Sequence, residues 1–502
     1  MKIKRLGAVR HRPLLCLLAG CFFLHIGLIF AQQAARTAPA AVPVRNVPVL
    51  MVSDIHFEPF WDPAKAPQLA AAPASEWNAI LSAPASPDQQ KRFDALQKTC
   101  NTKGLDTSYP LLNSSLKAIQ SDAAGAKVIT LSGDLMAHKF NCKFDAVFPQ
   151  SSAAAYKSFA EKTVDFVLLE LRATLPGVPL YAALGNNDSD CEDYKLDAHG
   201  DLLSTEAKSF AADFPVAERN RAQESFAAGG YYSAPLPALF ERARMIVLDD
   251  IFMSDKYQTC SGKHDPTAAT AQIAWLRDSL TMARRDKQKV WVLGHIPPGI
   301  DPYSTVAKLV DVCGGKPAVT FLSSDALAQT IAEFGDVVQL AVFAHTHMDE
   351  LRLLRPGKSS DTQQAATLKP VPLKMVPSIS PVDGNNPAFT VAMVDPSTAV
   401  MTDYHVFASS DFAGTSWFDE YDFNQAYNKA SFAAAPVEKL VEEFHADPKA
   451  ESSASQAYLH NFFGKADHMD LKLFWPQYVC AMANMTPESY KACVCAAQTS
   501  AH

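Results

Sequence analysis

Short apolar runs recur from residue 47 onward, and most stop on a polar or charged residue. "VPVLMVSD" (47–54), "KVITLSGD" (127–134), "VPLYAALGN" (178–186), "RMIVLDD" (244–250), "KVWVLGH" (289–295), "VVQLAVFAH" (337–345), "PLKMVPSI" (372–379) and "FTVAMVD" (389–395) predict strands. Longer stretches with helical spacing lie between them, at 153–175, 266–285 and 323–334. Near-continuous apolar runs belong to strands covered on both faces, and their alternation with helices predicts a layered α/β fold.

Two segments break this rhythm. Residues 57–108 are rich in Pro and Ala and carry Phe57, Phe60, Trp61 and Trp77; residues 139–152 follow another strand end. Both are expected to be loops, either binding segments or plain surface. After about residue 406 strand runs cease, and "FDEYDFNQAYNKASFAAAPVEKLVEEF" predicts a helical C-terminal subdomain over 406–502. At the other end, Lys2, Lys4, Arg5, Arg10 and Arg12 precede "LLCLLAGCFFLHIGLIF" (14–30), and small residues follow. This order predicts a secretory signal over 1–31 and an Ala/Pro-rich linker over 32–47. An uncleaved anchor is the rival, because the apolar run approaches spanning length. "LAGC", ending at Cys21, also resembles a lipobox. All three readings imply export.

Composition adds two constraints. The chain has 502 residues, 48% hydrophobic and 20% charged, which suits a large globular core over residues 48–405. A net charge of −8 argues against nucleic acid as the main partner, since phosphate backbones call for a basic face. Beyond the signal stand Cys100, Cys142, Cys191, Cys260, Cys313, Cys480, Cys493 and Cys495. An even number in an exported chain suits disulfides, and their wide spacing argues against a zinc cysteine cluster. The spacing leaves the pairing open.

The chemistry is carried by the strand ends. They deliver Asp54 and His56, then Asp134 with His138 four residues on, then Asn186, then His295, then His345 and His347. In α/β sheets, ligands bind outside the carboxyl ends of the strands. Imidazoles and carboxylates are ligands of Zn, Fe and Mn. The set is too large for one tetrahedral ion but suits two divalent ions sharing a carboxylate. Two ions clamp the attacking and leaving oxygens of a phosphoryl displacement, and they acidify a water between them. Each motif taken alone has a plainer reading, as a turn or a structural histidine; their order and placement together are specific.

Asp54-x-His56, Gly133-Asp134, Gly185-Asn186, Gly294-His295 and His345-x-His347 resemble the ordered motifs of calcineurin-like metallophosphoesterases, across residues 48–350. "GDLMAH", "SISPVDGNNPAF" (378–389) and the cysteine-bearing tail "YVCAMANMTPESYKACVC" resemble the acid sphingomyelinase-like branch. The resemblance implies a four-layer α/β/β/α metallophosphoesterase sandwich. It implies one metal on Asp54, His56 and His347, another on Asn186, His295 and His345, and Asp134 bridging them. Branch members typically carry zinc, and Mn or Fe are alternatives. His138 sits where the branch keeps a histidine suited to protonating the leaving oxygen; a hydrogen bonder behind the ligands is its plainer role. Asn187 departs from the family, which usually has His there. An amide cannot titrate, though it can donate a hydrogen bond to a phosphoryl oxygen.

The expected function is an exported dimetal phosphodiesterase, attacking phosphorus with a metal-bridging hydroxide. Nucleotides, phospholipid headgroups and other small phosphodiesters are its expected substrates, with a membrane surface left open as a partner and the oligomeric state unassigned. Endopolyphosphatase-like or phosphomonoesterase activity, and a catalytically weak metal-containing binding protein, are the alternatives.

Overall fold

The computed structural model describes residues 46–356, 368–466 and 471–500. The expected signal and all but the end of the linker lie outside them. The strands are β1 (Val47–Val52), β2 (Ile129–Ser132), β3 (Leu180–Ala183), β4 (Tyr232–Pro235), β5 (Ala243–Val247), β6 (Lys289–Leu293), β7 (Val338–Phe343), β8 (Glu350–Leu354), β9 (Val371–Met375), β10 (Ala388–Asp395), β11 (Val400–Ser409) and β12 (Trp417–Asp422). Every predicted run overlaps one of them. β1, β2 and β7 stop short of the predicted ends because polar residues there leave extended geometry. Asp54, His56, Asp134, His345 and His347 all have left-handed backbones, with φ of 45°, 44°, 54°, 72° and 66°.

Two six-stranded sheets form, in the orders β12-β11-β10-β1-β2-β3 and β4-β5-β6-β7-β9-β8. β1, β2 and β3 run parallel, as do β5, β6, β7 and β9. The carboxyl ends of β1–β3 therefore share one rim, and those of β5–β7 share another. The sheets face each other in the four-layer α/β/β/α sandwich, with the main hydrophobic core between them. Polar side chains tie the layers. Trp291 on β6 is fully buried and donates its indole N–H to Ala399 O at 2.7 Å. Tyr232 on β4 donates its hydroxyl to Ala182 O and accepts from Ala182 N–H, each at 2.9 Å.

Three expectations need correction. The segment 57–108 carries the helices Ala66–Ala71, Trp77–Ser82 and Gln89–Thr99. Trp77 and Phe60 anchor it by full burial. The segment 139–152 likewise carries the helix Phe140–Val147. Strands also continue past residue 405: β11 straddles that position and β12 follows it. β12 is an edge strand with mostly half-exposed residues, so it lacks the apolar run that marks an inner strand. From Phe423 the remaining described elements are helical. Phe444, Tyr458 and Trp475 from this part belong to the same core as β1. Asp349 N–H donates to Phe462 O (3.1 Å) and Asn386 N–H to Phe463 O (3.0 Å), so the helical part also braces the loops below β7 and before β10.

The eight cysteines pair as Cys100–Cys142, Cys191–Cys260, Cys313–Cys495 and Cys480–Cys493. Such pairing is consistent with export. Among the described residues no helix is long and apolar enough to cross a membrane.

Tyr232→Phe should lower unfolding free energy by about 1–3 kcal/mol, because it strands both backbone groups of Ala182 in the core. Urea unfolding with an unchanged m-value would show this; an unaltered midpoint would refute the cross-sheet role.

Candidate metal centre

The rims of the two sheets meet, and the predicted residues from β1, β2, β3, β6 and β7 converge there. His56 Nε2 lies 3.2 Å from His347 Nε2 and 3.4 Å from Asp134 Oδ2. His347 Nε2 lies 3.4 Å from Asp54 Oδ1. On the other side, His295 Nε2 lies 3.1 Å from Asn186 Oδ1, 3.3 Å from the same Asp134 Oδ2 and 3.2 Å from His345 Nδ1. Two groups of lone-pair donors thus share one carboxylate oxygen.

The donor chemistry fits a pair of cations. His56 Nδ1 donates to Met136 O at 2.9 Å, and His295 Nδ1 donates to Ser132 O at 2.7 Å. These bonds select the tautomer with a bare Nε2 lone pair facing the centre. Asn186 Nδ2 donates to Asp193 Oδ1 at 2.8 Å, turning its Oδ1 inward. Asp54 Oδ1 is buried without a hydrogen-bond partner. Lone pairs face lone pairs at contact distance, an arrangement that repels unless positive charge lies between them. Left-handed backbone costs a non-glycine residue about 1–2 kcal/mol. Its recurrence at five of these positions is strain that surrounding bonds must hold.

Those surrounding bonds come from carboxylates that sequence reasoning placed loosely or missed. Asp188 accepts from Leu135 N–H (2.8 Å) and Met136 N–H (3.0 Å) with one oxygen, and from Gly185 N–H (2.8 Å) with the other. It locks the loop after β2 to the loop after β3. Burial and the nearby Asp134 charge push its carboxyl up to about 7. Asp250 does the same work after β6, accepting from His295 N–H and Ile296 N–H, both at 2.9 Å. The paired carboxylates ending "RMIVLDD" were the available signal for it. Gly133, with φ of +88°, permits a close approach: a Cβ there would lie 2.7 Å from Gly185 N and 2.9 Å from His295 Nδ1.

Asn187 stands directly on the shared carboxylate. Its backbone N–H donates to Asp134 Oδ1 at 2.8 Å and its side-chain amide to Asp134 Oδ2 at 3.0 Å. His138 stacks on His56, with ring centroids 4.1 Å apart. One ring nitrogen from each of His56, His138 and His347 lies within 4.8 Å of the others. Asp106 accepts from His138 Nδ1–H with Oδ1 and from His138 backbone N–H with Oδ2, both at 2.9 Å. Burial lowers the basicity of His138, and Asp106 more than reverses this, pushing the imidazole up to about 9. Asp106 lies in an aperiodic loop and carried no motif, so nothing in the sequence marked it. The Asn385–Pro387 segment backs the centre from behind. Asn385 Nδ2 donates to Ser380 O (3.0 Å), and Ser380 N–H donates to Asp54 O (3.0 Å).

A calcineurin-like phosphoesterase profile matches residues 47–349, more than half of the chain. The chain belongs to that family. This calcineurin-like phosphoesterase is a metal-dependent phosphoester hydrolase, and the family implies two divalent metals. It is 24% identical over 408 residues to the cyclic GMP-AMP phosphodiesterase SMPDL3A of Mus musculus, covering 78% of this chain and 82% of that one. It is 22% identical to acid sphingomyelinase-like phosphodiesterase 3b of Mus musculus, over 88% of this chain and 89% of that one. Sphingomyelinase phosphodiesterase C of Dictyostelium discoideum is 22% identical over 66% of this chain and 69% of its own. The acid sphingomyelinase-like resemblance therefore holds.

Two cavities border the centre of this phosphoesterase. One, of about 580 Å³, opens beside His345 and is lined by Lys256, Phe321, Asp383, Phe463 and Tyr478 among others. The other, of about 400 Å³, opens beside Asn187 and is lined by Lys139, Tyr156, Glu192 and Asp193 among others.

Chelation should lower the melting temperature, and added zinc or manganese should restore it, because a cation bound only by the folded chain stabilises it by mass action. Differential scanning calorimetry reads this; a melting temperature unmoved by chelation, and unmoved by metal added back to the demetallated sample, would count against the site. Gly185→Ala would drive a Cβ onto Asp134 Oδ1. Metal content by atomic emission is expected to fall in that variant while the far-ultraviolet circular dichroism stays native.

Proposed function

We propose that the chain is an exported phosphodiesterase whose two divalent cations, zinc or its alternatives manganese and iron, sit around Asp134. Asp54, His56 and His347 hold one cation, Asn186, His295 and His345 hold the other, and Asp134 serves both. When bound, the pair supplies Lewis-acid charge at phosphorus and an acidified water. The chain's own groups do the rest. Asn187 fixes the plane of the Asp134 carboxylate by its two donated bonds. His138, held as a cation by Asp106, carries a proton beside His56 and delivers it to the departing ester oxygen.

The observation that carries the diester reading is the pair of cavities at the centre, one beside His345 and one beside Asn187. A phosphodiester has a substituent on each side of phosphorus and needs room for both. A monoester needs one cavity, and a chain of bare phosphates has no use for an aromatic lining such as Phe321, Phe463 and Tyr478. Lys256, 3.3 Å from Tyr194 Oη in the larger cavity, offers a cation to a phosphate oxygen. The names of the relatives, a cyclic dinucleotide phosphodiesterase and sphingomyelinase-like enzymes, point to small-molecule or lipid phosphodiesters. The paired cysteines and the basic, then apolar, N-terminal sequence support export.

Metal-loaded protein should turn over bis-p-nitrophenyl phosphate faster than p-nitrophenyl phosphate or polyphosphate. Asp134→Ala should lower that turnover at least about 100-fold, on the scale of losing a key electrostatic group. A preference for polyphosphate or the monoester would overturn the diester reading. Equal rates in wild type and Asp134→Ala would leave only the binding protein.

A further inference from the structure

Behind His138 lies a buried charged chain. Lys143, on the helix Phe140–Val147, is fully buried and reaches Asp106 Oδ2 at 3.3 Å. Its ammonium also bonds the carboxylate of Glu58, whose side chain is fully buried as well. Glu58 accepts in addition from Phe60 N–H at 3.2 Å. The sequence Glu58–Lys143–Asp106–His138 is thus continuous, and three of its members are sealed from water.

Burying such a pair is costly, and apolar side chains of the same size often stabilise a fold better. What this chain supplies is direction. Asp106 sits in a loop without regular structure, so the aim of its carboxylate is set by its neighbours, among them the Ser380 hydroxyl, which donates to Oδ1 at 3.4 Å. Lys143 takes Oδ2 from one side while His138 takes both oxygens from the other. The backbone repeats the arrangement: Glu58 N–H donates to Thr107 O (2.9 Å) and Thr107 N–H to His56 O (3.1 Å). The disulfide Cys100–Cys142 ties the start of that loop to the residue before Lys143. The loop, the helix and the strand end bearing His56 are clamped as one block around Asp106.

We propose that Lys143 and Glu58 are positioning residues for proton delivery: they fix the Asp106 carboxylate, which aims the His138 imidazole at the departing oxygen. This rests on the reading of His138 as the acid. A catalytic proton contributes most when the leaving group is a poor one and little when it is a stable phenolate, because the transition state then carries less charge on that oxygen. A merely structural residue would lower all rates alike.

The test uses methyl aryl phosphodiesters whose phenols range from p-nitrophenol to unsubstituted phenol, with full-length metal-loaded protein. His138→Asn should slow the unsubstituted phenyl ester about 100-fold and the p-nitrophenyl ester far less, within the range typical of acid catalysis. Lys143→Met and the near-isosteric Glu58→Gln should reproduce that steeper dependence in weaker form, and neither should add to it in the His138→Asn background. Wild-type metal content qualifies a variant, and Glu58→Gln preserves the test should Lys143→Met misfold. If His138→Asn slows every ester equally, the acid assignment falls and the relay with it. If His138→Asn discriminates and both Lys143→Met and Glu58→Gln do not, or add fully to it, the acid stands and the relay alone is overturned.

Discussion

Everything at this centre depends on lone pairs being held against one another. Asp134 Oδ2 faces His56 Nε2 and His295 Nε2 from a shared position, and Asp54 Oδ1 faces inward with no hydrogen to receive. Water would scatter such a set, and only a rigid frame with cations in view keeps it together. The two sheets supply that frame. Parallel strands bring their ends to one rim, and close-packed cores resist the ångström-scale relaxation that repulsion would otherwise drive.

The frame works through backbone donors more than through side-chain packing. Asp188 and Asp250 collect the N–H groups that follow three strand ends, and each converts a flexible turn into a fixed one. Both lie behind the candidate ligands, and both are fully buried. The same logic extends to Asp106, which gathers a backbone N–H, an imidazole and an ammonium at one carboxylate. Chemistry at the front is thus built on carboxylates at the back, as is common where ligand orientation sets reactivity.

Asn187 changes meaning in this setting. As a sequence feature it was a missing histidine and a lost proton. In space it is two donors on the carboxylate that both cations would share, and the proposed carrier of the proton is His138. An amide suits that position because its hydrogen bonds hold at every pH. An imidazole there would place a titrating group against Asp134.

Much of the fold was legible because inner strands announce themselves by unbroken apolar runs, and because the residues that end them are too polar to be core. The order of Asp54, His56, Asp134, Asn186, His295, His345 and His347 along the chain, with glycines beside several, was enough to suggest a dimetal centre. Edge strands such as β12 and the helices within 57–108 were not legible, since half-exposed elements carry mixed patterns. Distance was not legible either. The Asp106–His138 contact, the Lys143–Glu58 pair, the cysteine partners and the cavities beside His345 and Asn187 join segments far apart in the chain. Local composition determined which residues could do the chemistry; only tertiary packing decided which of them meet, and which buried charges hold them there.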